Sequence, residues 1–413
     1  FRRLFPISSG WKILTILGVP ESMIEVLKKL YKDVTINLRV GEKLEQFLST
    51  SGVKQGDNLA PILFIFVIHA VSNSLDKKWN FTTPDFRWLP DTQAGSKPRG
   101  QLRGTKHVTK GTKFSFFKSY YVDDTAFLLL SRAELETASK LIVSHFRRFG
   151  LTIHTGSRRK GEDSKTEAIH FPRPGQESSA TDTEDIIIDA DRFMTFCTKF
   201  KYLGSYFVPD LSDTEDIKER ITQARKLFGS MRKQLLSNKQ IPIDIRRRLY
   251  QATVVNIALW GCESWALKEA DRSKLETFHH QCLRKMCGWT MWDIHERRIR
   301  NEQVRRTVAN SPTMEAMMET RRCRWLCKLS FMNASRSPRL ILGAWCPTPR
   351  PVGRPQQTIR HAYVSILKRL GFEGDKGLLR EWMTVARDRS SWPLRVKWKL
   401  DLPPGSFTNL RRH

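Results

Sequence analysis

Hydrophobic positions along this chain change their spacing from one segment to the next. Helical spacing opens it: Trp11 to Leu17 reads as one helix, and Ser22 to Tyr31 as a second that aligns Met23, Val26, Leu27 and Leu30 after the Gly18-Val19-Pro20 break. Thr35 to Val40, a Gly41-Glu42 step and a short run to Phe47 predict a β-hairpin. A glycine-bearing stretch from Ser51 to Pro61 then enters an apolar helix, Ile62 to Leu75, with Pro61 suited to its first turn. Asp76 to Tyr120 is rich in basic residues, glycine and proline, which predicts a loop-rich insertion. The apolar run from Phe116 to Leu130 predicts strand, turn and strand, and Glu134 to Phe149 sets Ala138, Leu141, Ile142 and Phe146 on one helical stripe.

From Ser212 onward the pattern is helical. Ser212-x-x-Glu215 predicts a capping box, with Ile217, Ile221, Ala224, Phe228, Met231 and Leu235 forming a buried face while Lys218, Arg220, Arg225 and Lys226 point outward. Ile243 to Trp260 and Ser273 to Met286 continue this, and Ser311-Pro312 starts a helix that ends in the basic and aromatic run Arg321 to Lys328. Trp382 and Trp392 read as packing residues. The pattern is that of an α+β chain in three parts: a mixed region over residues 1–210, a helical region over 211–300, and a basic, mostly helical region over 301–413.

Charge changes the picture most. Lys and Arg number 71 against 42 Asp and Glu, a net charge of +29, and basic residues interleaved with aromatics predict a nucleic-acid partner rather than a membrane surface. The longest nearly apolar run, Leu59 to Val71, is shorter than the ~18 residues that span a bilayer. Seven cysteines are too few and odd in number for a secreted disulfide framework, so a reducing, intracellular setting is expected. Cys323 and Cys327 lack a second ligand pair downstream, which argues against zinc. Phe1 to Pro6 carries neither an initiator Met nor the apolar core of a signal peptide, so the natural start of the chain is expected elsewhere.

The candidate chemistry lies in Tyr121-Val122-Asp123-Asp124. Two adjacent carboxylates inside an apolar run are costly to desolvate unless a cation meets them, and Mg2+ takes carboxylate oxygen while keeping room for substrate phosphates. An ordinary hairpin turn is the alternative, since Asp favours turns for its local hydrogen bonding.

The neighbouring motifs bear on that choice. Tyr121 to Asp124 resembles the signature of reverse transcriptases, an aromatic residue, any residue and two aspartates at the β-hairpin of the polymerase palm. Gly52-Val53-Lys54-Gln55-Gly56, followed by Pro61, is similar to the Gly-x-x-Gln-Gly-x-x-x-Ser-Pro motif of non-LTR (LINE-type) retrotransposon enzymes, with Ala60 in place of Ser and Asn58 where Pro is usual. Lys165-Thr166-Glu167 and Phe200 to Ser205 follow in the family's order, the latter resembling its primer-grip hairpin. Leu259 to Trp265 and Pro351-Val352-Gly353-Arg354-Pro355 also resemble segments of such elements.

The resemblance implies a palm with an antiparallel sheet, a helical thumb and a basic C-terminal region. It implies RNA-directed DNA synthesis with two Mg2+ ions, or Mn2+, on Asp123 and Asp124, with Lys165 beside the nucleotide phosphates. Gln55, Gly56, Tyr121 and Val122 would contact nucleotide or template, and Tyr202, Leu203 and Gly204 the primer. Partners would be an RNA template, a DNA primer and deoxynucleoside triphosphates, and the setting the nucleus or cytoplasm. The family draws a further catalytic aspartate from a strand upstream of this region, yet no acidic residue stands between Phe1 and Pro20. The chain is therefore expected to be a fragment lacking the fingers and the first aspartate motif, and inactive alone. Its alternative is a decayed, nucleic-acid-binding relic.

Overall fold

The computed structural model describes residues 7–32, 34–41, 43–48, 57–88, 112–172, 183–333, 335–344, 359–372, 378–388, 390–393 and 396. Helices α1 (Ile7–Ile16) and α2 (Glu21–Leu30) precede an antiparallel hairpin of β1 (Thr35–Val40) and β2 (Lys43–Leu48). Then come α3 (Ala60–Asp76), β3 (Asp85–Trp88), β4 (Thr112–Ser115), β5 (Lys118–Tyr121), β6 (Asp124–Phe127) and α4 (Arg132–Arg148). Short strands follow: β7 (Gly156–Ser157), β8 (Glu167–Ala168), β9 (Ile186–Ile187), β10 (Arg192–Phe196), β11 (Phe200–Tyr202) and β12 (Ser205–Phe207). The remainder is helical: α5 (Thr214–Met231), α6 (Ile243–Tyr250), α7 (Asn256–Ala258), α8 (Glu269–Cys287), α9 (Met291–Glu296), α10 (Asn301–Thr307), α11 (Met314–Phe331), α12 (Ser337–Gly343), α13 (Ile359–Arg369) and α14 (Leu378–Arg387). Helices with small sheets make this a mixed α and β chain. It divides into two compact units, Phe1–Pro84 with Ser115–Leu203, and Asp85–Phe114 with Gly204–His413.

In the first unit, α3 forms because Val67, Ile68, Val71 and Leu75 repeat at helical spacing, and Pro61 occupies its first turn, where a missing N–H costs nothing. Helix α4 starts at Ser131, whose hydroxyl accepts Glu134 N at 3.2 Å, and buries Ala138, Ile142 and Phe146 against α3. A smaller cluster joins Val143 of α4 to Ile186, Ile188 and Met194. The described strands do not join in a single sheet. They make two-stranded ladders and one four-stranded sheet, in which β10 pairs antiparallel with β7 and β9 and parallel with β8. Strands β7, β8 and β9 have 2 residues each, too few to carry a ladder further.

In the second unit, Ile217, Ile221, Ala224 and Phe228 of α5 are buried as their spacing predicts, but the face then shifts. A π-helical turn over Arg232–Leu236 widens the helix, so Leu236 is buried and Leu235 is 37% exposed, the reverse of the periodic expectation. The expected capping box is also absent. The N-cap is Asp213 in helical conformation without a side-chain cap bond, and its carboxylate accepts Ala266 N at 2.6 Å instead. Arg220, expected to point outward, is buried. Cys323 sits in a core with Leu326, Trp382 and Trp392, so both tryptophans are packing residues, and burial pushes the Cys323 thiol up. Among the described residues no group of three or more His, Cys, Asp or Glu could hold a metal, and no helix is long and apolar enough to cross a membrane.

Candidate active site

The Asp123–Asp124 hairpin is built on a two-faced ladder. Lys118 pairs with Phe127, Ser119 with Ala126, Tyr120 with Thr125 and Tyr121 with Asp124. Since side chains alternate along a strand, Lys118, Tyr120, Thr125 and Phe127 share one face, and Ser119, Tyr121, Asp124 and Ala126 the other. The first face is held down. Phe127 stacks on Trp79 at 5.6 Å and meets Tyr120 edge-on at 6.0 Å, while Lys118 donates to Ser72 Oγ at 2.8 Å and pairs with Asp76 of α3. Burial, with Asp76 nearby, pushes the Tyr120 phenol up to about 12. The second face receives Tyr202, whose hydroxyl donates to Ser119 Oγ at 3.2 Å.

At the tip, Val122 and Asp123 form the turn and Asp124 opens β6. Val122 has φ +55°, a position where hairpin turns usually place glycine and where a β-branched side chain is strained. Such strain persists only where surrounding structure enforces it, and it clusters at functional sites. Tyr121 is 62% and Val122 43% exposed, and both aspartates face solvent. This corrects the expectation of carboxylates desolvated by an apolar run: alternation sends Tyr120 and Phe127 toward the helices and Asp124 to the other face. The pair stays soluble without a cation, yet offers adjacent hard oxygen donors of the kind Mg2+ and Mn2+ take.

Lys165 is exposed on a fixed loop. Beside it the buried Ser164 donates to Thr166 O at 2.7 Å, and Thr166 donates from Oγ1 to His154 O at 2.8 Å and from N to the same oxygen at 3.2 Å. Gln55 and Gly56 lie outside the described residues, as do Pro351 to Pro355. Asp57, directly after that pair, is anchored: it accepts the Tyr31 hydroxyl, and its Oδ1 accepts Leu59 N at 3.0 Å at the start of α3. Burial first and then Asp57 raise the Tyr31 phenol to about 12.

The primer-grip segment turns at Leu203, φ +48°, and Gly204, φ +85°. Tyr202 is half-buried and Leu203 exposed. In the second unit Arg220, 7% exposed, donates to Gly204 O and pairs with Asp216, 2% exposed, at 3.5 Å. Asp216 also accepts Tyr206 N at 3.1 Å and Trp265 Nε1 at 2.9 Å. Sequence reasoning missed this network. The i, i+4 spacing of Asp216 and Arg220 marks an ion pair, but nothing in it says that the pair is buried or that its third partner is a backbone carbonyl.

Over 269 residues, 62% of this chain and 87% of the relative, the chain is 23% identical to an uncharacterized transposon-derived protein of Caenorhabditis elegans. Residues 6–207, which contain the aspartate hairpin, match the family described as reverse transcriptase (RNA-dependent DNA polymerase), so this part of the chain is reverse-transcriptase-like.

Proposed function

We propose that the chain is the palm and thumb portion of an RNA-directed DNA polymerase of a non-LTR (LINE-type) retrotransposon. The observation that carries this reading is the exposed Asp123–Asp124 pair, set on the tip of a hairpin whose other face is bound to α3 through Lys118 and stacked through Phe127 on Trp79, just beyond that helix. Asp123 in the tight turn and Asp124 at the start of β6 would hold the metal in this reading. Bound there, two Mg2+ or Mn2+ ions would supply Lewis-acid chemistry, for activation of a primer 3′-hydroxyl and for the charge on the oxygen leaving the deoxynucleoside triphosphate. Tyr121 and Val122 border the incoming nucleotide, and Gln55 and Gly56 contact nucleotide or template. The Lys165 ammonium neutralises phosphate charge or gives a proton to the leaving pyrophosphate. Tyr202, Leu203 and Gly204 hold the primer, residues 1–210 form the palm, 211–300 the thumb, and 301–413 a basic nucleic-acid-binding region.

One observation favours a second reading, a binding relic without catalysis. Among the described residues no further carboxylate, His or Cys joins Asp123 and Asp124. RNA-templated primer extension separates the two, with the chain fused in frame to a palm segment that carries a further aspartate. The polymerase reading expects extension that Asp123→Asn abolishes while hybrid binding persists. Extension that survives Asp123→Asn contradicts it, and hybrid binding without extension supports the relic.

A further inference from the structure

Trp260 stands apart from its surroundings. Its neighbours Leu259, Cys262 and Trp265 are buried, whereas Trp260 is 56% exposed. A Cβ added at Gly204 would meet Arg220 Nη2 at 3.4 Å and Trp260 Nε1 at 3.5 Å, so the indole edge lies against the Gly204 turn. Gly261, at φ +77°, lets the next residue approach as closely, since a Cβ there would meet Ser205 Oγ at 3.1 Å. Two glycines thus bring the Trp260 segment onto the start of β12, and the buried Arg220 guanidinium lies 6.0 Å from the Trp260 ring centroid.

Two guanidiniums adjoin this segment. Arg220 is matched by Asp216, but Arg321 bonds only neutral oxygens, Leu259 O at 3.1 Å and Asn256 Oδ1, among the contacts of the described residues. An exposed aromatic face fixed at its edge, one residue after a carbonyl bonded by a guanidinium that forms no ion pair among the described residues, has the chemistry of a base-stacking platform with an adjoining phosphate contact. From this we infer that Trp260 stacks on a base of a bound nucleic-acid strand, with Arg321 facing its phosphate. The inference rests on the nucleic-acid reading above, and it adds a binding residue outside the aspartate hairpin.

The test is fluorescence anisotropy of the full chain with a labelled RNA–DNA hybrid bearing a single-stranded overhang, at several salt concentrations. Trp260→Ala should weaken binding roughly tenfold or more, because stacking on an aromatic ring contributes that much per base. Trp260→Phe should recover most of the loss, and the salt slope should stay the same, since stacking releases no counterions. Trp292→Ala, which removes another exposed indole, should bind as the parent does. Parent-like affinity in Trp260→Ala, or a loss that Trp260→Phe shares in full, overturns the inference and leaves the polymerase reading standing. Failure of the parent chain to bind the hybrid overturns both.

Discussion

Tyr202 and Ser119, 83 residues apart in sequence, are joined by a hydrogen bond of 3.2 Å from the phenol to the serine hydroxyl. The bond ties β11 to the open face of the aspartate hairpin, while Lys118 and Phe127 fix the opposite face. The hairpin that carries Asp123 and Asp124 is therefore held from both sides.

Tyr202→Phe removes the donor and should destabilise the chain by about 1 kcal/mol, the net worth of a hydrogen bond of this kind. Chemical denaturation of Tyr202→Phe, Ser119→Ala and the double variant checks it. The double variant should cost less than the sum of the single changes. Strict additivity would mean that the bond contributes nothing.

The Asp216–Arg220 pair should be much more sensitive. Both side chains are buried, and Asp216→Asn leaves the Arg220 guanidinium without its counter-charge, which costs on the order of 3 kcal/mol in buried pairs. Thermal unfolding should show a loss well beyond that of Asp244→Asn, which breaks the exposed ion pair to Arg248. Equal losses in the two variants would contradict the assigned burial.

Where local spacing decides structure, the chain was readable. Helices α2, α3 and α4 and the β1–β2 hairpin lie within a few residues of their periodic patterns, and the turn at Val122 and Asp123 follows from an acidic pair between apolar runs. Other features depend on contacts distant in sequence. Leu235 and Leu236 exchange places because a π turn rotates the helix face, and Asp213 caps nothing because Ala266 N claims its carboxylate. Arg220 looks like a surface residue until Gly204 O and Asp216 appear beside it. The exposure of Asp123 and Asp124 has a simpler cause: an apolar run in a strand is not one environment, because alternate residues face opposite ways.

His279 should make stability depend on pH. It is buried, donates from Nε2 to Pro312 O at 3.1 Å and lies 2.9 Å through Nδ1 from the Tyr250 hydroxyl, and burial pulls its pKa down to about 3. Between pH 6.5 and 3 the unfolded chain then binds a proton that the folded chain does not, so stability falls as pH falls through this window. At pH 5 the loss is about 2 kcal/mol. Burial raises Asp213, Glu276 and Glu319, and these act in the opposite sense nearer pH 4.5. Comparing the parent with His279→Gln isolates the histidine: the gap between unfolding midpoints at pH 7 and pH 5 should narrow in the variant, with the remainder left by His145 and His280, which burial also lowers, and an unchanged gap would contradict the assignment.

The central claim is that Asp123 and Asp124 form a metal site and not merely a turn. Isothermal titration with Mn2+ of the parent chain and of the Asp123→Asn, Asp124→Asn double variant tests it most directly. The account predicts weak binding by the parent, none by the variant, and the same affinity for an RNA–DNA hybrid in both without metal. Equal Mn2+ binding by the two proteins would contradict it.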